Sequence, residues 1–143
     1  PDLYQAVLCH VPVIDMYRFH KYTIGHAWKS DFGDPEGKLE DFEYNKKYSP
    51  LHNVGKSIVP VENPDDMPGL MILTADHDDR VVPHHSLKFA AEVQKKLADK
   101  TNNPLILRVD IKAGHGAGKP TAMVIEEQVD KHAFLALMMG LEL

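Results

Sequence analysis

Apolar, β-prone runs alternating with helical patterns constrain this chain more than any other feature. Gly69 to Ala75 (Gly-Leu-Met-Ile-Leu-Thr-Ala) carries no charge, and Gln5 to Asp15 is nearly as apolar. Pro104 to Ile111 is a third run of similar length. Short continuous apolar runs are the mark of strands buried on both faces. Between the second and third, Pro83 is placed to open a helix from His84 to Ala98, with Leu87, Phe89, Ala90, Val93 and Leu97 on its apolar face. A last helix is predicted over Pro120 to Met139, with Met123, Val124, Leu135, Leu137, Met138 and Met139 packing and Glu126-Glu127 on a solvated face. Strands separated by helices imply an α/β fold, a parallel sheet with helices on both faces.

The remaining segments read as connections. Met16 to Tyr22 suits a helical turn, and Thr23 to Gly37, with three glycines and Pro35, a loop carrying aromatics. Lys38 to Lys47 suits a short helix closed by Ser49-Pro50. Gly55 to Pro68 holds three prolines and reads as a surface connection, and Gly114 to Lys119 as a glycine-rich loop. Three strands make a thin sheet, so further strands are expected upstream. Pro1 to Tyr4 reads as the end of a loop entering a strand, so the N-terminus is expected to be a cut inside a longer protein.

Composition narrows the classes of function. The chain has 143 residues, enough for one domain, and a formal net charge of −5, which argues against a nucleic-acid partner. No apolar run approaches the roughly 20 residues that span a bilayer, so no membrane partner is expected. Cys9 is the single cysteine, set in an apolar run, and is expected to be a buried thiol. A chain without a disulfide fits a reducing, cytoplasmic setting. Nine histidines invite a metal, but there is no His-Glu-x-x-His, and the Asp76–Asp79 run lacks the glycine and distal glutamate of a calcium loop. No metal and no cofactor are expected. His20, His26 and His52 read as packing or loop residues, and Asp76 and Asp79 as turn caps or loop charges.

Functional groups in parallel α/β sheets collect at the carboxyl ends of strands. Two such ends are ionisable here: Asp76-His77-Asp78-Asp79-Arg80 and Gly114-His115-Gly116. A carboxylate from one and an imidazole from the other make the Asp–His half of a catalytic triad. The order Asp before His is that of α/β-hydrolases, whose serine comes first, in a Gly-x-Ser-x-Gly elbow. Ser30, Ser49, Ser57 and Ser86 all lack the flanking glycines, so the nucleophile is expected to be absent from this chain. Strand-end pairs of Asp and His also arise by chance, as solvated loop charges.

The motifs themselves are more specific. Leu-Thr-Ala-Asp-His-Asp-Asp-Arg-Val-Val-Pro (73–83) and Lys-Ala-Gly-His-Gly-Ala-Gly-Lys-Pro-Thr (112–121) resemble the Asp and His motifs of the prolyl oligopeptidase family. His-Lys-Tyr-Thr-Ile-Gly-His-Ala-Trp (20–28) and Lys-Tyr-Ser-Pro-Leu-His-Asn-Val (47–54) resemble the same family's intervening segments. The likeness covers nearly the whole chain and is weakest from Gly55 to Pro68.

That resemblance implies residues 1–143 are the C-terminal part of a serine-peptidase catalytic domain of the α/β-hydrolase fold, without its nucleophile elbow, oxyanion-hole donors or β-propeller. It implies cleavage on the carboxyl side of proline in short peptides, with the upstream part of the same protein as partner. It makes Asp78 the triad aspartate and His115 the general base. Arg80 would bind a substrate carbonyl, and Trp28 would stack on the substrate proline, with Val13, Phe32 and Val81 lining that pocket. Phe32 stands where the family is expected to have tyrosine, which removes a polar contact and keeps the apolar one. Oligopeptidase B-like enzymes would need acidic pocket groups, not seen around Trp28, and dipeptidyl-peptidase relatives lack the Asp-Asp-Arg-Val-Val run. The alternative from a different class is an inert fragment or binding module that keeps a proline pocket without chemistry. A Gly-x-Ser-x-Gly elbow upstream or on an associated chain separates the two.

Overall fold

A computed structural model describes residues 3–56, 67–116 and 118–142. Its sheet has three strands, β1 (Ala6–His10), β2 (Gly69–Ala75) and β3 (Leu105–Asp110), in the order β1-β2-β3 and all parallel. Ala6 pairs with Gly69 and His10 with Leu73; Leu70 pairs with Leu105 and Ala75 with Asp110. β2 is central and almost wholly buried, whereas β1 and β3 are half-buried. The first strand is shorter than expected. Pro12 has no N–H to give a ladder, and Val11 before it turns to φ 41°, so pairing stops at His10.

Helix α4 (His84–Leu97) packs on β2 and β3, and α5 (Thr121–Met138) packs on β1 and β2. Side chains alternate across a strand, so Met71 and Leu73 share one face and meet Phe134 and Met138 of α5. Ile72 and Thr74 point to the other face, where α4 brings the buried Ala90 and Val93. The buried face of α4 runs through Ser86, Ala90 and Val93, at i, i+4 and i+7. Leu87 lies about a quarter turn off this line, and is exposed where packing was expected.

α5 departs further from expectation. Val124, Leu137 and Met139 are exposed, because a helix apolar on several faces buries only the one that meets the sheet. Glu127, expected in solvent, is buried: Lys119 and Lys131 both donate to its carboxylate, and His10 Nε2 lies 3.6 Å from it. Burial acts to raise its pKa, but the two ammonium groups outweigh that and hold it at about 2.

Residues 23–37, expected as a loop, are mostly compact turns. Thr23–Trp28 is 3-10 helix and runs into a short helix, α1 (Lys29–Phe32). The glycine at position 25 answers crowding, since a Cβ there would lie 2.0 Å from the Phe19 carbonyl oxygen. Gly33, at φ 80° and ψ 177°, ends α1 in a positive-φ extended conformation open essentially to glycine alone. α2 (Leu39–Tyr48) and α3 (Pro50–Asn53) follow, and most of the Gly55–Pro68 connection lies outside the described residues. Among the described residues, no helix is long and apolar enough to cross a membrane.

A buried polar cluster fastens these turns to the sheet domain. Asp15, fully buried, donates its N–H to His85 Nδ1 at 3.1 Å and holds Lys88 and Arg18 on its carboxylate. Ser49 Oγ accepts the Met16 N–H at 3.2 Å and lies 2.8 Å from His52 Nδ1, and the His52 ring stacks on Tyr17. Ser49 is thus a buried staple. Burial pushes His85 down from the ordinary 6.5 to about 4, with His84 adding to the effect.

The fold selects neutral His85, whose Nδ1 must accept a hydrogen bond. Its contribution is complete above the unfolded value of about 6.5 and is lost as pH falls through about 4. The expected loss at pH 4 is on the order of 3 kcal/mol. The Asp15 amide reports it directly. Its opening free energy, from hydrogen exchange corrected for intrinsic rate, should decline across that window; a flat profile would contradict this account.

Candidate active site

β2 and β3 end side by side, and their loops carry the two ionisable clusters. The ladder continues past the strands: the Asp76 N–H donates to the Asp110 carbonyl at 3.0 Å and the His77 N–H to the Ala113 carbonyl at 3.1 Å. Asp76 adds a side-chain tie, its Oδ1 accepting the Ala113 N–H at 3.3 Å. The His77 imidazole holds the Asp76 pKa down to about 2, helped by the N–H groups of Lys112 and Ala113. Asp76, expected as a turn cap or loop charge, therefore binds one loop to the other.

Asp78 follows, with a side chain wholly removed from solvent. One oxygen, Oδ1, accepts the N–H groups of Arg80 at 2.9 Å and Val81 at 2.8 Å. An aspartate gripping its own chain two and three residues on is a turn that fixes the carboxylate plane. The other oxygen, Oδ2, faces His115 Nδ1 at 2.7 Å. A carboxylate oxygen accepts, so Nδ1 carries the proton and Nε2 is left with a free lone pair. His115 keeps 30% of its side chain exposed, against 0% for Asp78. The orienting group is dry and the imidazole reaches solvent.

The other residues singled out in the sequence form two further groups. Arg80 is exposed, with no acidic partner among the described residues, and its carbonyl accepts the Thr23 hydroxyl. Thr23 opens the turns that lead to Trp28, so this bond seats that segment beside the Asp loop. Val81 is buried directly below, at 7% exposure. Trp28 and Phe32 are four residues apart, across the junction of the 3-10 turns with α1. Phe32 meets the buried Phe19 edge-on at 5.6 Å and remains partly open. Val13 lies in the irregular stretch just beyond the end of β1. Direct bonds thus join Asp78, Arg80, Val81 and His115. Trp28 and Phe32 are connected to them through Thr23, a residue whose type and place in the sequence gave no signal.

The sequence also gave no sign of the charges behind the site. Arg108 donates to Asp110 and to Asp130, while Lys119 donates to Asp110 and Glu127. Asp110, the last residue of β3, is thus paired with two cations. Cys9, expected buried, is half-buried, and partial burial raises its thiol pKa.

Comparison with known proteins bears on this arrangement. The family model described as the prolyl oligopeptidase family matches residues 1–142. Prolyl oligopeptidase A of Amanita bisporigera is 51% identical over 136 residues, covering 95% of this chain and 17% of that protein. A prolyl endopeptidase of Elizabethkingia miricola is 44% identical, covering 99% of this chain and 19% of its own length. The chain therefore spans about a fifth of the length of these relatives. Prolyl oligopeptidase B of Galerina marginata, solved bound to a 35mer hydrolysis and macrocyclization substrate, superposes with a TM-score of 0.82 at 38% identity, over 97% of this chain and 18% of that one. That form has a histidine replaced by alanine, and companion structures have a serine or an aspartate so replaced. With a family model matched along all but its last residue, this chain belongs to the prolyl oligopeptidase family.

Proposed function

We propose that this chain supplies the Asp and His of a Ser-Asp-His triad in an endopeptidase that cleaves short peptides on the carboxyl side of proline. The observation that carries the reading is the 2.7 Å contact of His115 Nδ1 with the buried Asp78 Oδ2, at the ends of adjacent parallel strands. His115 Nε2 takes the proton of a serine hydroxyl as the oxygen attacks the scissile carbonyl, and then gives it to the leaving amine. Water repeats the cycle on the acyl-enzyme. Asp78 holds the imidazole in the required tautomer and stabilises the imidazolium. Arg80 offers its exposed guanidinium to a substrate carbonyl. Trp28 presents a rigid apolar face to the proline ring, with Val13, Phe32 and Val81 at the sides.

The Galerina enzyme supports the assignment. Its replaced aspartate and histidine are separated by the same 37 positions as Asp78 and His115. Its replaced serine stands further ahead of that aspartate than the whole stretch of this sequence before Asp78. This favours a nucleophile from a segment ahead of Pro1 in the full-length protein.

Three measurements test the reading. The 143-residue chain alone should not cleave a Gly-Pro chromogenic peptide; cleavage blocked by a serine-directed phosphonate would show that it carries its own nucleophile.

In the full-length protein, Asp78→Asn should fold normally and lose up to about 10⁴-fold in kcat. The Arg80 and Val81 N–H groups require an acceptor on their side, so the amide NH2 must face His115 and forces the wrong tautomer. Asp79→Ala, at an exposed position, should cost little. Equal damage from the two would mean the wrong aspartate has been chosen.

Trp28→Ala should lower kcat/KM for proline substrates by roughly 5- to 150-fold, the equivalent of about 1–3 kcal/mol of lost stacking. The proline-to-alanine preference of matched substrates should shrink with it, since alanine has no ring to stack. An unchanged ratio places the pocket elsewhere. A full-length protein that binds proline peptides without cleaving them would favour the binding-module reading.

A further inference from the structure

We infer that Lys119 is a positioning residue for His115, clamping the C-terminal end of the loop that carries the imidazole. This rests on the triad reading above and adds a residue that the triad itself does not use.

The loop from Ile111 to Pro120 has unequal ends. On its N-terminal side Ala113 is fastened at both its N–H and its carbonyl, by Asp76 and His77. Beyond His115 the backbone is permissive: Gly116 at φ 122° and Gly118 at φ 76° are both left-handed, and nothing lies within 4 Å of where a Cβ would stand on either. Glycine there is not a response to crowding. It leaves the chain free to pivot on the C-terminal side of the imidazole.

Lys119 is the next firm point. Its side chain is 9% exposed, and its ammonium donates to Asp110, the last residue of β3, and to Glu127 in the second turn of α5. Asp110 also takes the Asp76 N–H on its carbonyl, so a single residue registers the Asp loop and the His loop together. Both acceptors have a second cation: Arg108 on Asp110 and Lys131 on Glu127. Burial disfavours the Lys119 ammonium, but the two carboxylates outweigh it and raise its pKa above the ordinary lysine value. Lys119 is therefore charged at every pH at which an imidazole serves as a base. Without it, the Asp78 bond still holds the ring, but the backbone beyond His115 is left with the single long bond from the residue 119 N–H to the Gly116 carbonyl at 3.4 Å. Misplacement of a catalytic group by about 1 Å costs on the order of 10²-fold in rate.

The test uses the full-length protein with Lys119→Met, Lys119→Arg and Lys131→Met. Lys131→Met removes a cation from the same Glu127 without touching the loop, and so reports what weakening the network alone does. In Lys119→Met, kcat for a proline substrate should fall about 10- to 100-fold with KM within about 2-fold, because Arg80 and Trp28 sit on other elements. Lys119→Arg should restore kcat to within about 3-fold, as a guanidinium keeps both carboxylates. Lys131→Met should leave kcat near wild type. Amide exchange at position 119, whose N–H donates to the Gly116 carbonyl, should rise at least about 10-fold in Lys119→Met and stay unchanged in Lys131→Met. Equal losses of kcat in Lys119→Met and Lys131→Met would overturn the proposal, and so would unaltered exchange in the loop. If wild type proves inactive on proline peptides, the triad reading fails, and loop exchange alone then upholds or overturns the clamp.

Discussion

A carboxylate removed from water must find a partner for each oxygen, and Asp78 meets that demand in a way the rest of the site depends on. Burying an unpaired carboxylate costs several kcal/mol, so the geometry around it is dictated by satisfaction, not preference. Two backbone N–H groups take one oxygen and fix the carboxylate, which leaves the second oxygen to accept on its other side. His115 stands on that side. The same turn that satisfies the carboxylate also sets the backbone of Arg80 and buries Val81. Orientation of the imidazole, presentation of the guanidinium and closure of the floor below them are thus three results of one electrostatic requirement.

The histidines show how environment divides one residue type into different tasks. His85 is buried beside His84 and is held neutral, so it serves as a hydrogen-bond acceptor for the Asp15 backbone. His20 is buried and reaches Glu36, and His52 stacks on Tyr17 with Ser49 at its other side. His77 is exposed and spends its Nδ1 on Asp76. Of these, His115 combines a dry carboxylate behind the ring with a path to solvent in front. Ser49, His52 and Asp15 also approach one another in the order of a serine, a histidine and a carboxylate, with His52 Nε2 4.0 Å from Asp15. Ser49 has no exposure at all, and its hydroxyl is committed to the backbone at Ile14 and Met16. Composition alone does not separate the two sets; access does.

Much of the architecture is legible in the sequence because its signals are local. The run 69–75 is a strand over the whole of its expected span, and Pro83 stands immediately ahead of α4 as expected. The Asp and His loops fall at strand ends, so their juxtaposition follows once the strands are parallel neighbours. What was not legible depends on contacts distant in sequence. Glu127 looks like surface charge until Lys119 and Lys131 arrive on either side of it. The glycines and proline of residues 23–37 suggest a loop, whereas Gly25 is small because the Phe19 carbonyl presses against it. Leu87 carries an apolar side chain that the sheet does not reach, while His85 and Ser86 are buried although their polar side chains do not mark the buried face.

The pairing register of β2 and β3 finally determines whether these local solutions meet. Asp78 lies three residues past Ala75, and His115 five past Asp110, and those two strand residues are paired partners. A slip of one residue would carry one loop about 3.3 Å along the other, more than the tolerance of a hydrogen bond, and would reverse the faces of every side chain on the displaced strand. Met71 and Leu73 would then leave Phe134 and Met138, so the apolar core opposes the slip. The bonds of Asp76 to Asp110 and Ala113 extend that register beyond the strands, into segments where no alternation of side chains enforces it. The sheet sets the alignment to within a residue, and the polar ties between the loops refine it to the distance at which a proton can be held. A core that fixes register and a loop network that fixes distance are separate requirements, and the 2.7 Å contact needs both.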